Sequence, residues 1–130
     1  MINSKLIWSL FCLILLSFMS YLIPSTFLPD IAQQKNLSLS SIGTIISVFP
    51  IGAILVSFHL GKHMEQIGKK KIIYNGGLLL AGSMLIFALS ILIGNKILFF
   101  MVSCVARLLQ GAAVSALSKF IIFFFKAKNI

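Results

Sequence analysis

Acidic residues are almost absent from this sequence, and their scarcity restricts the chemistry it can perform. Its 130 residues include two Asp and Glu residues against eleven Lys and Arg residues, for a formal net charge of +9. Asp30 and Glu65 are separated by a long apolar segment, so catalysis by paired carboxylates, which needs reactive groups gathered in one pocket, is excluded. A nucleophilic serine in a Gly-x-Ser-x-Gly-like turn, with a histidine at matching depth, is also missing. We therefore expect no enzymatic activity.

Residues that bind metals or form disulfides are equally scarce. Cys12 and Cys104 lie singly inside apolar segments, where a cysteine behaves as a small hydrophobic residue. His59 and His63 are four residues apart and would share a helix face, but no third ligand is well placed beside them. No glycine-rich phosphate-binding loop is present. The sequence predicts neither a metal site nor a cofactor.

Apolar residues are abundant and indicate that the surrounding solvent is lipid. Hydrophobic residues make up 59% of the chain and charged residues 10%, and the mean hydropathy is +1.09. The apolar residues form four segments, each long enough to cross a bilayer as a helix: about 6–28, 42–60, 72–93 and 97–117. Nucleic-acid-binding proteins spread Lys and Arg over a hydrated face, whereas these charges lie between apolar segments. We predict an all-α membrane protein with one transmembrane domain, residues 1–130, whose partner is the lipid bilayer and not nucleic acid.

The lysines are divided unequally between the two sides of this four-helix topology. Two lie on one side, Lys35 and Lys96, and eight lie on the other: Lys5, Lys62, Lys69, Lys70, Lys71, Lys119, Lys126 and Lys128. Cytoplasmic loops carry the excess of Lys and Arg, so we expect a multi-pass protein with both termini in the cytoplasm. The first segment has an alternative interpretation, because Lys5 followed by LIWSLFCLILLSFMS is also typical of a cleaved signal peptide. Against that interpretation, no A-x-A-like cleavage site is evident.

The only arginine lies inside the fourth apolar segment. Small or polar residues recur there every four positions, beside Gln110: Ser103, Arg107, Gly111 and Ser115. An ionisable residue within a span usually faces a protein interior or a water-filled cavity, and small residues at this spacing allow close approach of a neighbouring helix. One interpretation is a polar contact inside a helix bundle. We favour a second, in which Arg107, Gln110 and Gly111 line the path of a solute or proton.

Two prolines interrupt the first two predicted helices. Pro24 lies near the outer end of the first and Pro50 near the middle of the second. A proline inside a helix lacks an N–H group and clashes with the preceding turn, so we predict kinks at both positions. Each kink is either a feature of packing or a bend used in opening and closing a pathway.

Two motifs resemble those of the major facilitator superfamily. RLLQGAA, residues 107–113, is similar to the Arg-x-x-Gln-Gly signature in the fourth helix of that superfamily. GKHMEQIGKKK, residues 61–71, resembles its signature between helices two and three, Gly-x-x-x-Asp-Arg-x-Gly-Arg-Arg/Lys. Four residues fall at matching positions: Gly61, Gly68, Lys69 and Lys70. Glu65 stands where the signature has Asp. The resemblance, which is to the drug and vesicular-amine antiporter branch, implies transport of a small organic solute, with antiport against protons as one form.

The length of the chain bears on this expectation. Members of the superfamily are similar in having twelve helices in two six-helix halves, each made of inverted three-helix repeats, so we interpret the chain as the first four helices of such a fold, a truncated N-terminal half. Transport would then require self-association or the missing C-terminal half. The alternative is a complete four-helix membrane protein, acting as a small multidrug exporter or as a non-transporting accessory subunit. A small exporter would need an intramembrane acidic residue in its first helix, and none precedes Asp30.

Overall fold

Four long helices account for most of the chain. The structure, a computed structural model, describes residues 3–128. Helix α1 spans Ser4–Gln34, α2 Leu39–Ile67, α3 Lys69–Ser90 and α4 Lys96–Ala127. Each is long and apolar enough to cross a membrane, where a helix is the one open-chain structure that pairs its own backbone groups. The predicted all-α architecture of four spans is confirmed for residues 3–128.

The helices differ from the predicted apolar segments mainly at their ends. Helices α1, α2 and α4 extend beyond 6–28, 42–60 and 97–117, because hydropathy marks only the part of a helix that lies in hydrocarbon. Helix α3 is shorter at its end than the predicted 72–93. After Ser90 the backbone N–H groups of Ile91, Leu92 and Ile93 bond carbonyls three residues back, a tightening typical of helix ends. The Ile93 carbonyl then accepts a hydrogen bond from Lys35 Nζ, which ties the α3–α4 connection to the end of α1.

The connections between helices follow local backbone chemistry. Asn36, two residues after the end of α1, has φ 56°, and the N–H groups of Asn36 and Leu37 bond the carbonyls of Gln33 and Ala32 at 3.0 and 2.9 Å. This is the Schellman pattern, in which Asn is the usual substitute for Gly. Helices α2 and α3 are joined by Gly68 alone, whose φ of 86° and ψ of 138° are accessible in practice only to glycine.

Helix α4 is the centre of the bundle. It packs closely against α2 and α3 along its length, whereas α1 contacts the other helices more lightly. One cluster of buried apolar residues lies toward the end of the bundle where α1 finishes: Leu28, Ala32, Ile42, Ile45, Phe87, Phe99 and Ala106. A second lies where α1 begins: Leu10, Met64, Ile72, Phe120 and Ile121. We call this second end, which carries eight of the lysines, the lysine-rich end.

Large apolar side chains are exposed along all four helices. Examples are Trp8 at 67%, Phe18 at 63%, Phe58 at 73% and Leu85 at 65% of their accessible surface. Monomeric soluble proteins rarely expose continuous apolar surfaces of this extent, whereas in a bilayer such faces meet acyl chains. The burial pattern therefore agrees with the expectation that lipid surrounds the chain.

Candidate functional site

The polar face of α4 is buried, as the four-residue spacing predicts. Ser103 and Arg107 have no exposed surface, Gln110 retains 1% and Ser115 retains 7%. Gly111 is buried with them. Because α4 is central in the bundle, a polar stripe on it is placed against the neighbouring helices and not against lipid.

Arg107 is the largest fully buried side chain in residues 3–128. Its Nη2 donates to Ser25 Oγ at 2.6 Å, and its Nη1 donates to Gln110 Oε1 at 3.0 Å. The same Nη1 lies 3.5 Å from the carbonyl oxygen of Tyr21, while Nε is buried without a hydrogen-bond partner. The guanidinium therefore links α4 to α1, while its Nε has no hydrogen-bond partner.

Aromatic rings surround the guanidinium on three sides. Its Cζ lies 5.8 Å from the ring centre of Tyr21, 6.0 Å from that of Phe49 and 5.5 Å from that of Phe87. These rings come from α1, α2 and α3, and their faces attract a cation within about 6 Å. Tyr21 and Phe49 also contact each other, with centroids 4.6 Å apart. This ring pair joins α1 to α2 beside the guanidinium.

Gln110 uses a carbonyl that Pro24 leaves free. Pro24 has no N–H group, so the Ser20 carbonyl four residues earlier has no partner within α1. Gln110 Nε2 donates to that carbonyl oxygen and lies 3.0 Å from Met84 Sδ on α3. Pro24 and Pro50 both lie inside continuous helices, so the kinks expected at them stay a prediction. For Pro24 the structure adds a different contribution, an acceptor presented to α4.

The partners of Arg107 within residues 3–128 are all neutral. Asp30 and Glu65 are exposed near the ends of α1 and α2, and neither is hydrogen-bonded to the guanidinium. Removing a cation from water costs several kcal/mol unless it is paired, and hydrogen bonds to neutral oxygens and aromatic faces offset only part of that cost. An unpaired buried charge of this kind is typical of a functional position in a membrane protein.

Gly111 lies where α2 and α4 cross. A β-carbon built on Gly111 would overlap the carbonyl oxygen of Phe49 and lie 3.2 Å from the Ala53 nitrogen. One built on Gly52 would overlap the carbonyl oxygen of Leu108. One turn further along, Ser57 Oγ and Ser115 Oγ share a hydrogen bond of 2.7 Å. The close approach expected of Gly111 and Ser115 is therefore made by α2. Gly111 occupies a packed contact beside the polar cluster, which is formed by Arg107, Gln110, Ser20 and Ser25.

The residues of the loop motif lie at the lysine-rich end, away from Arg107. Gly61, Glu65, Lys69 and Lys70 are exposed, and Gly68 is half-buried. A β-carbon on Gly61 would meet nothing within 4 Å. Lys69 Nζ lies 5.2 Å from the ring centre of Phe123 at the end of α4. The motif is thus divided between the turn at Gly68 and a cationic surface.

A cleft between α1 and α3 approaches the polar cluster from one side. It has a volume of about 400 Å³, is almost wholly apolar, and has Ser20 and Met84 in its wall. Both residues contact Gln110, so the cleft ends one side chain away from Arg107. Arg107 itself has no exposed surface.

The contributors to this site from the other helices were not predicted from the sequence: Ser20, Tyr21 and Ser25 on α1, Phe49 on α2, and Met84 and Phe87 on α3. The available signal was Pro24, which implies a free carbonyl four residues earlier. A polar stretch around that proline, at the depth of Arg107 in an up-and-down bundle, was a second signal. Which helix meets α4 at that depth depends on tertiary packing, and the residue spacing within α4 does not identify that helix.

Comparison with protein families agrees with this architecture. The family model described as Major Facilitator Superfamily matches residues 4–129. No individual curated protein and no solved structure gives a significant match to the chain. The matched region includes all four spans and both motifs. The chain is an integral membrane protein that belongs to the major facilitator superfamily, a family of transporters.

Proposed function

We propose that the chain takes part in moving a small organic solute across the membrane, with Arg107 and Gln110 on the solute's path. The single observation that carries the proposal is the fully buried guanidinium of Arg107, whose partners within residues 3–128 are neutral and whose Nε is free. A group that serves only packing would be less costly as an apolar side chain of similar volume. Membership of a transporter family supports the same function.

Because α1 packs lightly against the other helices, its movement can give a solute access to Arg107. Polar contacts from Arg107 and Gln110 to Ser25, Tyr21 and Ser20 link α1 to α4. A solute with hydrogen-bond acceptors would compete with α1 for the same N–H groups. Solute binding would then be coupled to movement of α1 away from α4.

Exchange for protons is the second part of the proposal. Neither carboxylate within residues 3–128 is hydrogen-bonded to Arg107, so a titratable partner for this site would come from another copy or from a further segment. The exposed apolar flanks of the bundle give such a partner a surface on which to assemble. We propose that transport requires self-association or a second half of the transporter, as the twelve-helix architecture of the superfamily implies.

Reconstitution tests the transport function directly. We expect proteoliposomes of the purified chain, loaded with fluorescent solutes that are anionic, neutral or cationic, to release at least one class in a saturable manner. Imposing a pH gradient should change the rate if protons are exchanged. Protein-free liposomes of the same composition are the control. Release at the protein-free rate for every class, from vesicles in which crosslinking shows assembled copies, would contradict transport by self-associated copies.

The orientation of the bundle is proposed from the lysine distribution and is tested by labelling. In a background of Cys12→Ser and Cys104→Ser, we expect Asn36→Cys to react with a membrane-impermeant maleimide in intact cells. Lys70→Cys, at the lysine-rich end, should react only after permeabilisation, because the lysine-rich side is expected to be cytoplasmic. Both positions are exposed, so access to the thiol is matched. The reverse order of reactivity would invert the proposed topology.

A further inference from the structure

Two clefts meet on the outer surface between α2 and α4. The first, which we call the apolar cleft, has a volume of about 420 Å³ and is lined by Ala53, Ile54, Ser57, Phe58 and Lys119. The second, the basic cleft, has a volume of about 440 Å³ and lies at the lysine-rich end. Lys119 belongs to the walls of both. The two clefts therefore form one groove, which runs from the membrane span to the polar end of the bundle.

The basic cleft has an excess of positive charge. Lys62 from α2 and Lys119 and Lys126 from α4 contribute to its wall, and Glu65 is the one acidic residue there. Phe123, also in the wall, lies under the ammonium group of Lys69 at 5.2 Å, which brings a further cation to the edge. Lysine ammonium groups bind phosphate as point charges. The cleft is complementary to a phosphate-bearing anion.

The apolar cleft is complementary to a hydrocarbon chain. Ile54 and Phe58 are 55% and 73% exposed, and Ser57 directs its hydroxyl to Ser115 on α4 instead of into the groove. On the other side of Lys119, the exposed side chain of Ile122 belongs to the basic cleft. Apolar surface thus continues to the level of the lysines, as an acyl chain below a headgroup requires.

We propose that the α2/α4 groove binds one anionic phospholipid, with its phosphate among Lys62, Lys119 and Lys126 and an acyl chain along Ile54 and Phe58. A free phosphate would leave the apolar half of the groove unused. A second copy of the chain would bring a net charge of +9 to a cationic surface, which like-charge repulsion opposes. Basic clusters at the end of a span attract anionic lipids.

Native mass spectrometry of the purified chain in detergent tests the proposal. Phosphatidylglycerol and phosphatidylcholine with identical acyl chains would be titrated separately, and the soluble headgroup glycerol phosphate would be titrated as a third probe. We expect one phosphatidylglycerol to bind each chain at least about tenfold more tightly than phosphatidylcholine. We expect no binding of glycerol phosphate at the same concentrations. Equal affinity for the two lipids would overturn the proposal, and binding of glycerol phosphate as tight as that of the lipid would identify a free phosphate site instead.

Matched lysine variants locate the binding. Replacing the three cleft lysines with glutamine (K62Q, K119Q, K126Q) should weaken phosphatidylglycerol binding by at least about tenfold. Replacing three exposed lysines outside the groove at the same end (K5Q, K70Q, K71Q) removes the same charge and should weaken it by less than about threefold. Equal losses in both variants would show general surface attraction and would overturn the site. If the cleft variant fails to fold, Glu65→Gln decides: removing the one acid from the cleft should tighten binding, and unchanged or weaker binding counts against the proposal.

Discussion

Replacing Arg107 with methionine is expected to reduce transport by about 10- to 100-fold, because a hydrogen bond to a charged group contributes about 1.5–3 kcal/mol. The free energy of unfolding should change by less than about 1 kcal/mol. Methionine is apolar and flexible enough to fill the space between the rings of Tyr21, Phe49 and Phe87. The variant loses the bonds to Ser25 and Gln110, but it also removes the desolvation cost of an unpaired buried cation. Solute flux in proteoliposomes and unfolding in mixed micelles measure the two quantities.

Two further variants make this separation of function from stability specific. Leu108→Met alters the neighbouring, partly exposed position on α4 and should leave both flux and stability unchanged. Arg107→Lys keeps the charge but not the planar fork that spans Ser25 and Gln110, so its flux should lie between those of the native chain and Arg107→Met. Normal flux in Arg107→Met would remove Arg107 from the solute path. A loss of more than about 3 kcal/mol in stability with normal flux per folded molecule would make it a structural residue.

Replacing Gly111 with alanine is expected to destabilise the bundle by about 2–3 kcal/mol. The added methyl group would overlap the carbonyl oxygen of Phe49. That neighbour is helical backbone, so it cannot rotate away as a side chain would, and α2 and α4 must separate. Separation would also lengthen the Ser57–Ser115 hydrogen bond of 2.7 Å. Unfolding in mixed micelles, followed by circular dichroism, measures the change.

Glycines elsewhere in the bundle provide matched controls for this effect. Gly52→Ala should destabilise to a similar degree, since its methyl group would overlap the carbonyl oxygen of Leu108 on the other side of the same crossing. Gly43→Ala and Gly82→Ala add the same methyl group within helices where nothing lies within 4 Å. Because alanine is the better helix former, both controls should be neutral or slightly stabilising. Destabilisation that is equal at all four positions would mean that the α2/α4 crossing is not as close as described.

Much of the architecture could be predicted from the sequence, because a bilayer requires helices of a defined length with apolar surfaces. Apolar length predicted the four spans, and the spacing of Arg107, Gly111 and Ser115 predicted which face of α4 is buried. Both predictions depend on periodicity within a single segment. Helix ends were predicted less well, since α1, α2 and α4 continue past the hydrocarbon and α3 stops at Ser90, where three-residue hydrogen bonds replace helical ones.

The contacts of the polar cluster could not be predicted from the periodicity of single helices. Ser25 meets Arg107 only because α1 lies across α4 at a particular depth, and that depth is set by packing over the whole bundle. Gln110 reaches Ser20 because Pro24 leaves a carbonyl free, a consequence of proline that was interpreted from sequence as a kink alone. The position of Gly111 against Phe49 likewise needed both helices, because a small residue shows that approach is permitted but does not identify the neighbour.

The one-residue link at Gly68 restricts how the bundle can change shape. The last residue of α2 and the first of α3 are held about two peptide units apart, so these helices cannot be pulled apart at the lysine-rich end. They can rotate relative to each other about Gly68, and this rotation separates their other ends. Helix α1, tethered to α2 by four residues and lightly packed, has no such restriction. Displacement of α1 therefore widens the bundle toward the lysine-rich side while leaving the Gly68 link and the close packing of α4 against α2 and α3 intact.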